Sequence, residues 1–348
     1  MRAIPKPDAA PLVALLAALL AATPAAVARG GDAARAQAAT SAPRDPAVAM
    51  ESGDDAGARL SRIEQAMWDR DPRAVRLIRG WAANDPDDRV RERSVGALVL
   101  LRDAQAAPVL FGLLARDPSA AVRRAAAEGI GLLRPEGDIN RLADPLRKDR
   151  DPFVRAECAR AIGRIGGPTA AAPILIAVVQ DASPEVRALA AQALSGLRSP
   201  ASADILRAVA VRDDSVLVRI YAVRSLADIS PGPSASLFRT VWEGSNDADL
   251  RLEAFRGLLI AERGDAWERA GLADTDERVR FLAFRAWLQR SWEARRGVSG
   301  EMANRDFEAR LEGFLADRVR GIRELAKEQL EALGYRIRPS GFGYAVEP

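Results

Sequence analysis

The side chains able to do chemistry recur in this chain as matched pairs. An aspartate followed six residues later by an arginine occurs as Asp85/Arg91, Asp117/Arg123, Asp149/Arg155, Asp181/Arg187 and Asp213/Arg219, each pair 32 residues after the last. Arg251 continues the series with Ser245 in place of the acid, and Asp274/Arg280 and Asp317/Arg323 keep the grammar out of step. A carboxylate facing a guanidinium forms a bidentate, charge-assisted hydrogen bond, whereas a lone carboxylate could act as a general acid or base. The rest of the inventory is sparse, with no histidine and one cysteine.

The lack of histidine removes the commonest general base at neutral pH and the commonest transition-metal ligand. A Ser-His-Asp triad has no base here, and a zinc site would rest on one cysteine and carboxylates. No two carboxylates are set apart by spacing as an acid and a base. Gly163, Gly166 and Gly167 end a helix and are not followed by the lysine of a phosphate-binding loop. Cys158 stands where neighbouring copies carry alanine, the position of a small buried apolar group. The expectation is a chain with no catalytic residues, no cofactor and no metal.

The elements that position these pairs follow from the period. Each arginine is preceded by an apolar anchor, and small or apolar residues recur four and eight places later, as in Val122, Ala126, Ile130 and Val154, Cys158, Ile162. That spacing lines one face of a helix. A preceding helix is read from Val109, Leu110, Leu113 and Leu114 and from Ile174, Leu175, Val178 and Val179. The aspartate falls in the turn between them, where it can accept from free amides, and Pro86, Pro118 and Pro152 support the break. A unit of 32 residues cannot bury its own apolar face, so neighbours must complete each core.

The segment DPSAAVRRAAAEGIGLL and its copies resemble HEAT repeats of the phycobilisome-lyase type, over roughly residues 73 to 334. The resemblance implies an all-α, right-handed α-solenoid of about eight helical hairpins. It also implies that Asp85, Asp117, Asp149, Asp181, Asp213, Asp274 and Asp317 bond with Arg91, Arg123, Arg155, Arg187, Arg219, Arg251, Arg280 and Arg323 between successive repeats, as a structural ladder. It leaves function open, since a fold hosts many activities. The di-iron sites of hydroxylases built from such repeats need histidine and cannot be assembled here.

Composition suits a helical protein, with 48% hydrophobic, 28% charged and 5% aromatic residues. Residues 1–28 carry Arg2 and Lys6, then an apolar run ending Ala26-Val27-Ala28, the pattern of a signal peptide with its cleavage site. An extracytoplasmic, periplasmic or secreted location follows, with no integral membrane segment after cleavage; retention as an anchor is the alternative. Residues 29–57 lack periodicity and read as a flexible linker, 58–334 as the solenoid, and 335–348 as a tail that docks or dangles. The net charge of +3 falls to +2 once Arg2, Lys6 and Asp8 are removed, which does not suggest nucleic-acid binding.

Partner recognition is read from the second helix of each unit. The stripe two, six and nine residues after the anchor should face away from the paired helix. In middle units it is bland: Ala156, Arg160, Gly163, then Ala188, Gln192, Ser195. Later it becomes Ile220, Arg224, Ala227, then Leu252, Arg256, Leu259, then Phe281, Arg285, Leu288. Bulky apolar groups beside arginines point to a groove for a protein or peptide partner with carboxylates. The competing expectation is that the segment between Trp292 and Phe307, or the tail, folds back and buries the stripe as core. A subunit assisting tetrapyrrole attachment or removal is the alternative function implied by the lyase-type repeats; a DNA-repair glycosylase is opposed by the export signal and weak charge.

Overall fold

The computed structural model describes residues 55–135, 139–167, 170–197, 201–262, 264–295 and 301–347. The expected leader, and the linker up to residue 54, lie outside them. The chain divides into two compact units, Met1–Ser225 and Leu226–Pro348.

In the amino-terminal unit, α1 (Ala56–Asp69) is followed by the hairpins α2 (Val75–Asn84) with α3 (Asp88–Leu100), α4 (Ala107–Arg116) with α5 (Ala120–Leu133), and α6 (Asn140–Lys148) with α7 (Pro152–Ile165). Then come α8 (Ala171–Gln180) with α9 (Pro184–Leu197), and α10 (Ala201–Arg212) with α11 (Val216–Ile229), whose last turn passes the boundary. Helix α1 begins two residues before the expected start of the repeats. The helices start where the sequence supplies caps: Asp87 accepts from the Arg89 amide, and Asp151 accepts from the Phe153 and Val154 amides ahead of Pro152 at the first helical position. The anchors Val90, Val122, Val154, Val186 and Val218 are all fully buried. Consecutive second helices pack on one another through small residues. A Cβ on Gly131 would lie 2.8 Å from Ala161 Cα, and one on Gly163 would lie 2.9 Å from the carbonyl oxygen of Ala193.

The carboxy-terminal unit holds α12 (Ala235–Gly244) with α13 (Ala248–Ala261), α14 (Asp265–Leu272) with α15 (Glu277–Arg295), and α16 (Glu301–Gly313) with α17 (Arg320–Ala332). Its core is aromatic. Trp242 packs on Phe255 at 5.1 Å, and Trp287 on Phe307 at 5.7 Å. The tail docks, and it does so as strands: β1 (Ile337–Ser340) pairs antiparallel with β2 (Gly343–Val346) around Gly341, whose φ of 58° suits a residue without a side chain. Ile337, Tyr344 and Val346 pack against the α15–α17 core. No strand was expected in this chain; the alternation Ile337, Tyr344, Val346 about a glycine turn is the signal for it.

Candidate functional site

The aspartates and arginines of the amino-terminal unit meet as a ladder. Arg91 donates from Nε to Asp117 Oδ2 at 2.7 Å and from Nη2 to Oδ1 at 2.8 Å, while its Nη1 donates to the carbonyl of Asp85 at 2.9 Å. The same fork joins Arg123 to Asp149, Arg155 to Asp181 and Arg187 to Asp213. Each acid also accepts from the amide two residues on, as Asp117 does from Ser119 at 2.9 Å, so one carboxylate fastens its own turn and the preceding repeat. The hydrogen bond from Arg91 to Asp117 raises the guanidinium's pKa. Burial pushes the Asp149 carboxyl up, but the Arg123 fork and the Asp151 amide outweigh it and leave the group below the ordinary carboxylate value.

An earlier rung precedes the first recognised repeat, with Arg59 Nε 2.7 Å from Asp85 Oδ2. Helix α1 is therefore the second helix of a partial repeat. Its signal is the 26-residue step from arginine to acid that every later rung of this unit shares; alanine in place of the anchor valine hides it.

Among the described residues of the carboxy-terminal unit one rung of the ladder forms, Arg251 to Asp274, with Trp242 Nε1 donating to the same acid at 2.8 Å. The remaining expected ladder members depart from the pattern. Arg280, 3% exposed, donates only to the carbonyls of Asp274 and Thr275. Arg323 donates to the carbonyls of Asp317 and Arg318 and lies 5.5 Å from the Phe342 ring. Asp317 accepts from the Val319 amide. Among the described residues neither arginine, nor Arg219 in the amino-terminal unit, has a carboxylate partner. Ser245 removes one acid from the series, and the 43-residue step between Arg280 and Arg323 moves another out of register.

The outward stripe of the second helices is rotated by one residue from the expected positions. Residues nine after the anchor face the next helix, because Gly131 and Gly163 allow it to come so close. The more open positions are six and ten after the anchor: Glu128 and Leu132, Arg160 and Arg164, Gln192 and Gly196, then Arg256 and Ile260, and Arg285 and Gln289. The arginine row lies on this stripe. On α7, Arg160 and Arg164 both reach the buried Glu157, each at 3.1 Å.

The eight residues expected to bind a partner fall into three groups. Ile220 and Arg224 lie half-buried on α11 of the amino-terminal unit, with the Arg224 guanidinium 5.4 Å from the Tyr221 ring. Leu252, Arg256 and Leu259 lie half-buried on α13, where Arg256 Nε donates to Glu253 at 2.9 Å, and Arg285 is exposed on α15. Leu288 is corrected to core, and Phe281 to a half-buried side chain packed on that core. Leu288 belongs to the buried cluster with Phe307 and Leu311 of α16, and Phe281 packs against that cluster and against Gly321 of α17. The helices α16 and α17 cover them; the competing expectation foresaw such covering but assigned it to the segment between Trp292 and Phe307 or to the tail, whereas the contacts come from Phe307, Leu311 and Gly321. Leu259 and Ile260 instead line an open cleft of about 330 Å³ with Ala286, Gln289, Arg290 and Glu268.

A sequence model for HEAT repeats matches residues 47–131, 75–163, 109–181, 139–227 and 172–259, a continuous run over more than half of the chain. The chain belongs to the HEAT-repeat family. Its HEAT array has the all-α solenoid class of fold expected from the period. No curated protein matches it. Among solved structures, it is similar to the complex of CpcE and CpcF of phycocyanin lyase from Nostoc sp. PCC7120, with 19% identity, 74% of this chain and 98% of that chain covered, and a TM-score of 0.40. It is also similar to human deoxyhypusine hydroxylase in complex with glycerol, with 19% identity, 61% and 82% covered, and a TM-score of 0.33. The HEAT repeats of this chain position guanidinium groups in two ways, inward at the turns as braces and outward along the second helices. Of these two sets the outward one is the more accessible, since the braces at the turns are held by their acids.

Proposed function

We propose that this HEAT-repeat protein is a non-catalytic scaffold, exported by its amino-terminal leader, that holds a protein or peptide partner bearing carboxylates against the second helices of its later repeats. The observation supporting this reading is that Arg256 and Arg285 occupy the same outward register on adjacent second helices, beside Leu252, Leu259 and the exposed Ile260. An apolar strip with guanidinium groups alongside suits a segment that alternates apolar and acidic side chains. Arg224 repeats the register on α11 of the amino-terminal unit.

The test is crosslinked capture by the mature chain, with the amino terminus of the exported protein sequenced to locate cleavage after residue 28. Replacing Arg256 and Arg285 together by alanine should weaken capture of the main partner about tenfold or more, given ~1.5–3 kcal/mol for a hydrogen bond to a charged group. Stability should stay within ~1 kcal/mol of the parent, since Arg285 is exposed and the half-exposed Arg256–Glu253 pair is worth no more than about that. Undiminished capture by the double variant would remove this face from the proposal.

A further inference from the structure

A second cleft, on the opposite helices of the repeats, has a composition that the repeat grammar does not explain. It lies in the amino-terminal unit between the first helices α4 and α6, with a volume of about 700 Å³. Its floor is apolar, made by Phe111, Leu114 and Pro145, and the Arg141 guanidinium lies 4.0 Å from the Phe111 ring. Its rim carries Arg116, Lys148 and Arg150, all exposed. Arg150 is held across the opening by a 3.3 Å hydrogen bond from Nη2 to the Pro118 carbonyl.

The acids in the cleft do not cancel this charge. Asp117 and Asp149 are spent on the ladder, to Arg91 and Arg123. Asp144 is engaged by Arg147 at 2.5 Å and by Lys148 at 3.4 Å. Arg116 has no carboxylate partner among the described residues, and Arg150 uses only a carbonyl.

Arg141, Lys148 and Arg150 come together in this gap, and the gaps on either side do not repeat the set. One repeat later, the positions of Arg141, Lys148 and Arg150 are taken by Pro173, Gln180 and Ala182. One repeat earlier, the corresponding hollow between α2 and α4 has Arg116 as its one cation outside the ladder. A long polyanion would run out of partners within one repeat, and a free anion would leave the apolar floor unused. A short segment with carboxylates flanking an apolar side chain satisfies both surfaces.

We infer that the α4–α6 cleft is a docking site for a short acidic peptide segment of a partner protein, which places an apolar side chain over Phe111 and Pro145 and carboxylates on Arg116 and Arg150. This site is separate from the face proposed above, and each stands or falls alone.

The experiment uses the full chain and a fluorescein-labelled peptide of alternating glutamate and leucine, followed by fluorescence anisotropy at low ionic strength. The peptide should bind, and a glutamine-for-glutamate version should bind at least about tenfold more weakly, a difference of ~1.4 kcal/mol. Arg116→Glu with Arg150→Glu should cost a similar factor and should favour a lysine-leucine peptide instead, whereas the Arg256/Arg285 alanine variant should leave binding unchanged. If charge reversal lowers the melting temperature, Arg116→Gln with Arg150→Gln supplies the same test. Absence of binding, equal binding of the glutamine peptide, indifference to both rim variants, or tighter binding of a single-stranded oligonucleotide at this rim would each overturn the inference.

Discussion

The two units build the same helical hairpin by different means. In the amino-terminal unit the repeat length is constant, the side chains between second helices are small, and five guanidinium–carboxylate forks fix one repeat to the next. Among the described residues of the carboxy-terminal unit the spacing drifts, one rung of the ladder forms, from Arg251 Nη2 to Asp274, and bulk replaces register: Phe284, Trp287, Phe307 and Phe314 fill the space between helices. A polar ladder demands an exact step along the stack because each fork must meet its acid at hydrogen-bonding distance. An aromatic core tolerates irregular steps because dispersion and burial are not directional. The difference shows why the spacing could drift only where the aromatics accumulate.

The largest effect that would test this contrast is Phe284→Ala. Phe284 is fully buried, with its ring 4.7 Å from Phe314 and 5.7 Å from Trp287. Truncation should cost ~3–5 kcal/mol. Hydrogen exchange followed by mass spectrometry should show the loss in α15–α17, with α3–α9 still protected. Equal loss of protection in both regions would mean that the units do not differ in what supports them.

Next is the ladder. Asp117→Ala leaves the Arg91 guanidinium, 8% exposed, without its acid, and should cost about 3 kcal/mol, as breaking one side of a buried pair does. Arg91→Met combined with Asp117→Leu should recover most of that loss, because neither charge is then buried alone. Urea midpoints for the parent, single and double variants decide it. A double variant as weak as the single one would show that the fork does more than balance its own charges, for example by setting the angle between repeats.

These expectations also show what the sequence discloses. The ladder of the amino-terminal unit is legible because its geometry is periodic, and a constant 26-residue step from arginine to acid becomes a constant distance in space. Arg59 escapes because Ala58 stands where later copies carry valine, although the step to Asp85 is intact. The outward stripe is misplaced by one residue because helical periodicity ignores how closely the next helix approaches, and that approach is set by Gly131 and Gly163 meeting alanines. Leu288 and Phe281 read as surface for a related reason: what buries them, α16 and α17, follows them in the chain and does not obey the 32-residue period. The α4–α6 cleft is hidden because its cations come from two repeats: Arg116 and Lys148 share the periodic place before the turn acid, while Arg141 and Arg150 have no counterpart in the neighbouring repeats.

A smaller effect separates the units by pH. Asp149 is held below the ordinary carboxylate value, so its contribution to stability is complete above the unfolded pKa, about 3.9, and fades as pH falls through the lower folded value. Melting temperatures of the parent and Asp149→Asn should therefore differ at neutral pH, begin to approach each other below about pH 4 and meet once the pH has passed the lower folded value. A gap that persists in strong acid would assign the loss to packing in the turn rather than to charge.

The smallest expected change is the most pointed. Arg91 and Arg280 are both buried, both follow an anchor valine, and both donate through Nη1 to the turn carbonyl six residues earlier. Only Arg91 also meets a carboxylate among the described residues. Replacing Arg91 by methionine strands Asp117 and should cost about 3 kcal/mol. Replacing Arg280 by methionine strands no acid; it removes two bonds to carbonyls but also the desolvation of a charge, and the methionine stem keeps the apolar contacts. Its net effect should lie within ~1 kcal/mol of zero, with either sign. Urea midpoints of the two variants measure the comparison. If Arg280→Met proves as costly as Arg91→Met, a carboxylate must reach Arg280 in solution, and the carboxy-terminal unit would then keep a second rung of the ladder in spite of its drifting spacing.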